Sequence, residues 1–199
     1  MKNFTEDLGI TGHLTISKKR RGGKEKVIFD DHNIIVSGMG VSLAYHFTGS
    51  GSDSVLDYQI DRFQLGVSGP PAGGVVSSIY ELSGGLLLHE YGAGSNLFIE
   101  LGDQIKNGTL SNTAAAKIPA SKITKIGNAS VRYTLVVDEE ACNNLIRDGN
   151  PASLNEVGLL IKNPTGWSVD RPILVAYRNF SDIVKTDDFS LIFRWTINF

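Results

Sequence analysis

The chain has 199 residues, 41% hydrophobic and 20% charged, with 19 Lys and Arg against 21 Asp and Glu for a formal net charge of −2. That length allows one ordinary domain with its own core. The near-balanced charge excludes a surface that binds polyanions everywhere, and a single cysteine excludes an internal disulfide framework and a cysteine zinc site.

No apolar stretch of the secretory kind follows Met1-Lys2-Asn3-Phe4. The longest mainly apolar stretch, 34–47, contains Ser37, Ser42 and His46 and is too short to span a bilayer. The chain is therefore expected to fold in a cytosol, away from membranes. Leu14 and Ile16 alternate with polar neighbours, and residues 24–30 read KEKVIFD, so both segments are expected as strands. Between them lies KKRRGG, 18–23, whose two glycines suit a tight turn. The pattern predicts a protruding hairpin over about 10–30 with a basic tip.

Asn33 is read as an N-cap for a short helix over 34–47, ended by the Gly-Ser run at 49–52. Strands are expected over 58–67 and 97–101, with a Gly-Pro loop at 68–74 between them. Residues 75–95 give no clear element, and 102–120 reads as a long surface loop. Val131, Tyr133, Leu135 and Val137 alternate as a strand, and Asp138 is read as the cap of a short helix to Ile146. Residues 155–161, NEVGLLI, and 172–177, PILVAY, are buried strands by apolar density.

The clearest element is the last. Phe189, Leu191, Phe193, Trp195, Ile197 and Phe199 fall at every second position, which puts one face of a strand into a core up to the final residue. Eight or so short strands, by this reading, give a mainly β fold, an antiparallel sandwich or barrel with one helix, in a single domain over 1–199.

The chemistry is sparse. His13, His32, His46 and His89 form no ligand pair of the H-E-x-x-H kind. Asp30, Asp31 and His32 are consecutive, and neighbours in an extended segment point to opposite sides, so a shared cation site is disfavoured. No phosphate-binding loop and no G-x-S-x-G elbow occurs. Cys142 has no basic neighbour in sequence and reads as a small core residue. Glu139-Glu140 and Asp187-Asp188 read as solvated turns. No catalytic residue, metal or cofactor is expected.

One local feature stands out. Lys18, Lys19, Arg20, Arg21, Lys24 and Lys26 are opposed only by Glu25, so 18–26 carries +5 and the rest of the chain −7. Such a tip suits an acidic protein surface or phosphates, and its lysines also discourage edge pairing between sheets. No aromatics are interleaved, so stacking on single-stranded nucleic acid is not expected.

The order of motifs resembles small structural proteins of tailed bacteriophage virions. A hairpin precedes His32, Asn33 and Gly38 in an "hN-x-iv-x-G" segment. Gly66, Ser68 and Pro70 lie in an "lG-x-G/S-x-x-P" turn, and Asn155, Glu156, Gly158 and Leu159 form "N-E-x-G-L". The chain closes on Lys185, Thr186, Phe189, Ser190, Leu191, Trp195, Ile197 and Phe199. The resemblance implies a non-enzymatic component of a tail, baseplate or neck, assembled in the bacterial cytoplasm as a homo-oligomer with other virion proteins as partners. A head-decoration protein is one alternative. A carbohydrate- or host-surface-binding domain is another, for which Trp167 is the one loop tryptophan; an enzyme ranks last.

Overall fold

The computed structural model describes residues 9–35, 38–48, 59–66, 98–99, 116–118, 120–140, 142–147, 150–151, 153–161 and 173–199. Within them the fold is mainly β, with antiparallel sheets and one short helix. The hairpin forms first in the chain: β1 (Thr11–Arg20) pairs with β2 (Glu25–His32), and Leu14 and Ile16 go to the interior as their alternation requires. β1 then pairs along its whole length with the final strand, β13 (Phe189–Asn198). The other side of β13 takes β8 (Ser130–Val137), and β7 (Ile123–Lys125) closes that side. The first sheet therefore runs β2-β1-β13-β8-β7, with the chain's last strand at its centre.

The second sheet is built on β11 (Leu154–Ile161) and β12 (Ile173–Ile183). β4 (Ile60–Gly66) lies on the other side of β11 and carries β5 (Phe98–Ile99) and β6 (Ala116–Lys117). The short β3 (Ile34–Ile35) flanks β12, and α1 (Gly38–Thr48) packs against β12. A two-stranded ribbon, β9 (Ile146–Arg147) with β10 (Asn150–Pro151), stands apart from both.

The two larger sheets share one core. Leu14, Ile16, Leu135, Phe193, Trp195 and Ile197 of the first sheet meet Phe63, Leu65, Val157, Leu159, Val175 and Phe180 of the second. Three ring pairs cross between them: Phe63 with Trp195 at 6.0 Å, Phe180 with Phe193 at 6.1 Å and Phe180 with Phe29 at 6.1 Å. Arg178 of β12 also crosses, bonding Asp31 of β2 and lying over the Phe29 ring at 5.6 Å. Full burial of each large apolar side chain contributes about 1.5–3 kcal/mol relative to exposure.

Three sequence-based expectations are corrected. The helix begins at Gly38, and Ile34 and Ile35 are a strand opposite Tyr177 and Ala176. β-branched isoleucines suit that position, and Asn33 is a corner between sheets: its amide donates to Gly12 O at 3.1 Å, so it caps no helix. The described residues between Asp138 and Leu145 form turns and no helix, because Cys142 (φ 59°) and Asn144 (φ 52°) are left-handed, and Ile146 already belongs to β9. Phe199 lies beyond β13 and is 46% exposed, so the alternating core face ends at Ile197. Of the loop expected over 102–120, the described part holds β6 and the start of a 3-10 turn at Ala120–Lys122. Ser68, Pro70, His89, Trp167, the glycine-rich stretches at 69–74, 83–85 and 92–94, and residues 102–115 lie outside the described residues.

Candidate interaction surface

The basic residues gather where the first sheet ends. Gly23 N donates to Arg20 O at 2.9 Å, and Gly22 takes φ +69°, a turn that a side chain at that position would strain. The strands on either side of the turn continue into the sheet, so the turn is held rigidly at its edge.

The six cations of the tip divide by what they touch. Lys18 Nζ sits 3.5 Å from the centre of the Phe189 ring, a cation–π contact. Arg20 Nε lies 3.5 Å from Asp188 Oδ2. The tip's own acid, Glu25, is taken by Arg194 of β13 in a two-pronged pair, with one arm at 2.9 Å. Lys19, Arg21, Lys24 and Lys26 have no carboxylate at ion-pair distance among the described residues, although Lys19, across from Glu25, helps to hold that carboxyl down. Beside them on β2, the edge strand of the sheet, Val27 is 53% and Ile28 41% exposed. A register shift between Ile16 and Ser17 leaves Ile28 without a partner on β1.

The Arg194 pair holds the Glu25 carboxyl down to about 2, from an ordinary value of 4.5. A depressed acid contributes stability that is full above the unfolded value and is lost as pH falls. That contribution is thus present above about pH 4.5 and drains away toward pH 2. Glu25→Gln is expected to flatten this part of the acid-unfolding curve and to lower Tm at neutral pH by about 1–3 °C. A thermal scan at several pH values checks both.

Several other titratable groups are tied up structurally. His13 Nε2 lies 2.7 Å from Asp30 Oδ1, and the Thr15 hydroxyl donates to the same oxygen at 2.7 Å. Thr15 and His13 together hold the Asp30 carboxyl below the usual carboxylate range. Asp31 bonds Arg178, so the consecutive acids do point different ways. Among the described residues no three metal-ligating side chains come together. Cys142 is fully buried, and burial pushes its thiol up to about 12, which keeps it protonated. Glu139-Glu140 and Asp187-Asp188, far apart in sequence, both emerge at the hairpin end of the first sheet, because Val137 pairs Leu191 and Arg20 pairs Phe189.

A half-open cleft of about 250 Å³ lies between α1 and the first sheet, lined by Met39, Leu43, His46, Ile123, Val131 and Phe199 among others. Among the described lining residues none is acidic, and burial raises the Tyr133 phenol above its ordinary pKa.

Sequence reading found the cations and missed their partners. Asp188, Phe189 and Arg194 reach the tip only through pairing of β1 with β13, which no local pattern announces. Among the described residues, no helix is long and apolar enough to cross a membrane. No protein-family model, curated protein or solved structure matches the chain.

Proposed function

We propose that the chain is a non-enzymatic structural protein of a tailed bacteriophage particle, acting through subunit contacts in the tail, baseplate or neck. The observation that carries the contact role is the hairpin tip: four cations with no carboxylate at ion-pair distance among the described residues, next to two exposed aliphatic side chains on an edge strand. Charge of one sign beside exposed apolar surface suits protein recognition. The assignment to a particle rests on the order of motifs in the sequence. A long, open edge with Val27 and Ile28 also favours burial in an assembly, since such edges invite pairing.

The test replaces Lys19, Arg21, Lys24 and Lys26 by Ser and follows incorporation into particles. Lys18 and Arg20 are left in place because they serve the fold. Incorporation is expected to fall about tenfold, with normal solubility and Tm. Unchanged incorporation at every salt concentration would remove the hairpin from the contact.

A further inference from the structure

The hairpin end of the first sheet carries both signs of charge, in separate halves. β2 and β1 bring Lys19, Arg21, Lys24 and Lys26 to one half. β13 and β8 bring Asp187, Asp188, Asp138 and Glu140, all exposed, to the other. The boundary is the Arg20–Asp188 ion pair. In the acidic half, Asp138 Oδ1 accepts the Glu140 amide at 3.0 Å. Behind it, buried Lys185 Nζ bonds Asn143 Oδ1 at 2.9 Å and Thr186 O at 2.8 Å, joining the loop after β8 to the β12–β13 turn.

We infer that this bipolar end is a docking surface for a second copy of the chain, related by a two-fold axis through the Arg20–Asp188 boundary. The inference rests on the reading of the tip as a contact surface and adds its partner and geometry. Rotation about an axis lying in the contact plane sets the basic half of each copy on the acidic half of the other, which is the self-complementarity an isologous contact needs. Within one subunit the halves meet at the Arg20–Asp188 pair. The outer charges, at β2 and after β8, are three strand spacings apart, about 14 Å, beyond the roughly 10 Å screening length at 0.1 M salt. Between copies, the same charges meet at contact distance. The hairpin turn and the acidic loops are both short and held by hydrogen bonds, so little ordering opposes association.

The experiment is sedimentation of the full chain at low and high salt, with two charge-reversed variants. One is Arg21→Glu with Lys24→Glu; the other is Glu140→Lys with Asp187→Lys. All four positions are exposed, and thermal unfolding checks that each variant is folded. The wild type is expected to dimerise, with its Kd rising about tenfold or more from 50 to 500 mM salt. Each variant alone is expected to be monomeric, and an equal mixture of the two to form a mixed dimer. A wild type that stays monomeric to about 0.5 mM at low salt overturns the inference. So does a dimer unaffected by either reversal, or a mixture of variants that fails to associate. A monomer would leave the particle-incorporation result untouched, so the two readings fail separately.

Discussion

Replacing Trp195 by Ala is expected to lower the unfolding free energy by about 3–5 kcal/mol, a large part of the 5–15 kcal/mol typical of a domain. Trp195 is fully buried in the central strand of the first sheet. Its cross-strand partners are Leu14 on one side and Tyr133 on the other, and its ring meets Phe63 of the second sheet. Its loss opens a void where both sheets and three strands meet, and the surroundings can close it only by moving strands. Among the described residues the indole N–H has no hydrogen-bond partner, so part of the native burial is opposed by an unpaired donor. Trp195→Phe removes that donor and keeps most of the ring, and is expected to cost less than about 1.5 kcal/mol. Denaturant unfolding of both variants separates the two terms. Equal losses would show that the ring's packing is not what holds the sheets together.

The second large effect is expected at Gly66. A Cβ there would lie 2.2 Å from Glu156 Oε1 and 2.5 Å from its Cγ, so the Glu156 side chain would have to shift. Glu156 is fully buried, is the cross-strand partner of Gly66, and accepts from the Tyr177 hydroxyl at 2.9 Å. Its carboxylate folds over the bare backbone of β4, so the glycine is needed for space. Gly66→Ala is expected to cost about 1–3 kcal/mol through overpacking, and more if the Tyr177 bond breaks. In a Glu156→Ala background the same substitution is expected to be nearly neutral, since the atoms it strikes are gone. A double-mutant cycle by denaturant unfolding reads that coupling. Additive effects would show that the two residues do not meet.

Gly66 and Glu156 stood in separate motifs of the sequence, and only the β4–β11 pairing joins them. The same holds across the molecule. The period-two run from Phe189 to Ile197 was legible because one face of a strand must be apolar to reach a core. Its central place was less legible, although Ser190 and Ile192 on the opposite face are buried as well. Ile34 and Ile35 misled because apolar spacing over a few residues fits a helix or a strand alike, and the corner at Asn33 is fixed by a distant amide acceptor on Gly12. The turns that follow Asp138 misled for a similar reason. Asp138 does cap a backbone amide, but Asn143 bonds buried Lys185, a residue far along the chain, and left-handed Cys142 and Asn144 follow that arrangement.

The basic tip shows the same division. Its six cations are contiguous and visible in sequence. That two of them serve the fold, through Phe189 and Asp188, depends on long-range pairing. The acidic half of the end face was visible only as two unrelated carboxylate pairs until the strand order placed them side by side.

The proposed role in a phage particle is tested most directly by an electron-microscopy map of tailed-phage particles assembled in cells that express the chain, with peptide identification of the particle's proteins. A structural component of that kind is expected there as a repeated subunit, with the β1–β2 tip buried against a neighbouring protein surface. Purified particles lacking the chain, or containing it with the hairpin tip facing solvent in every copy, would contradict that role.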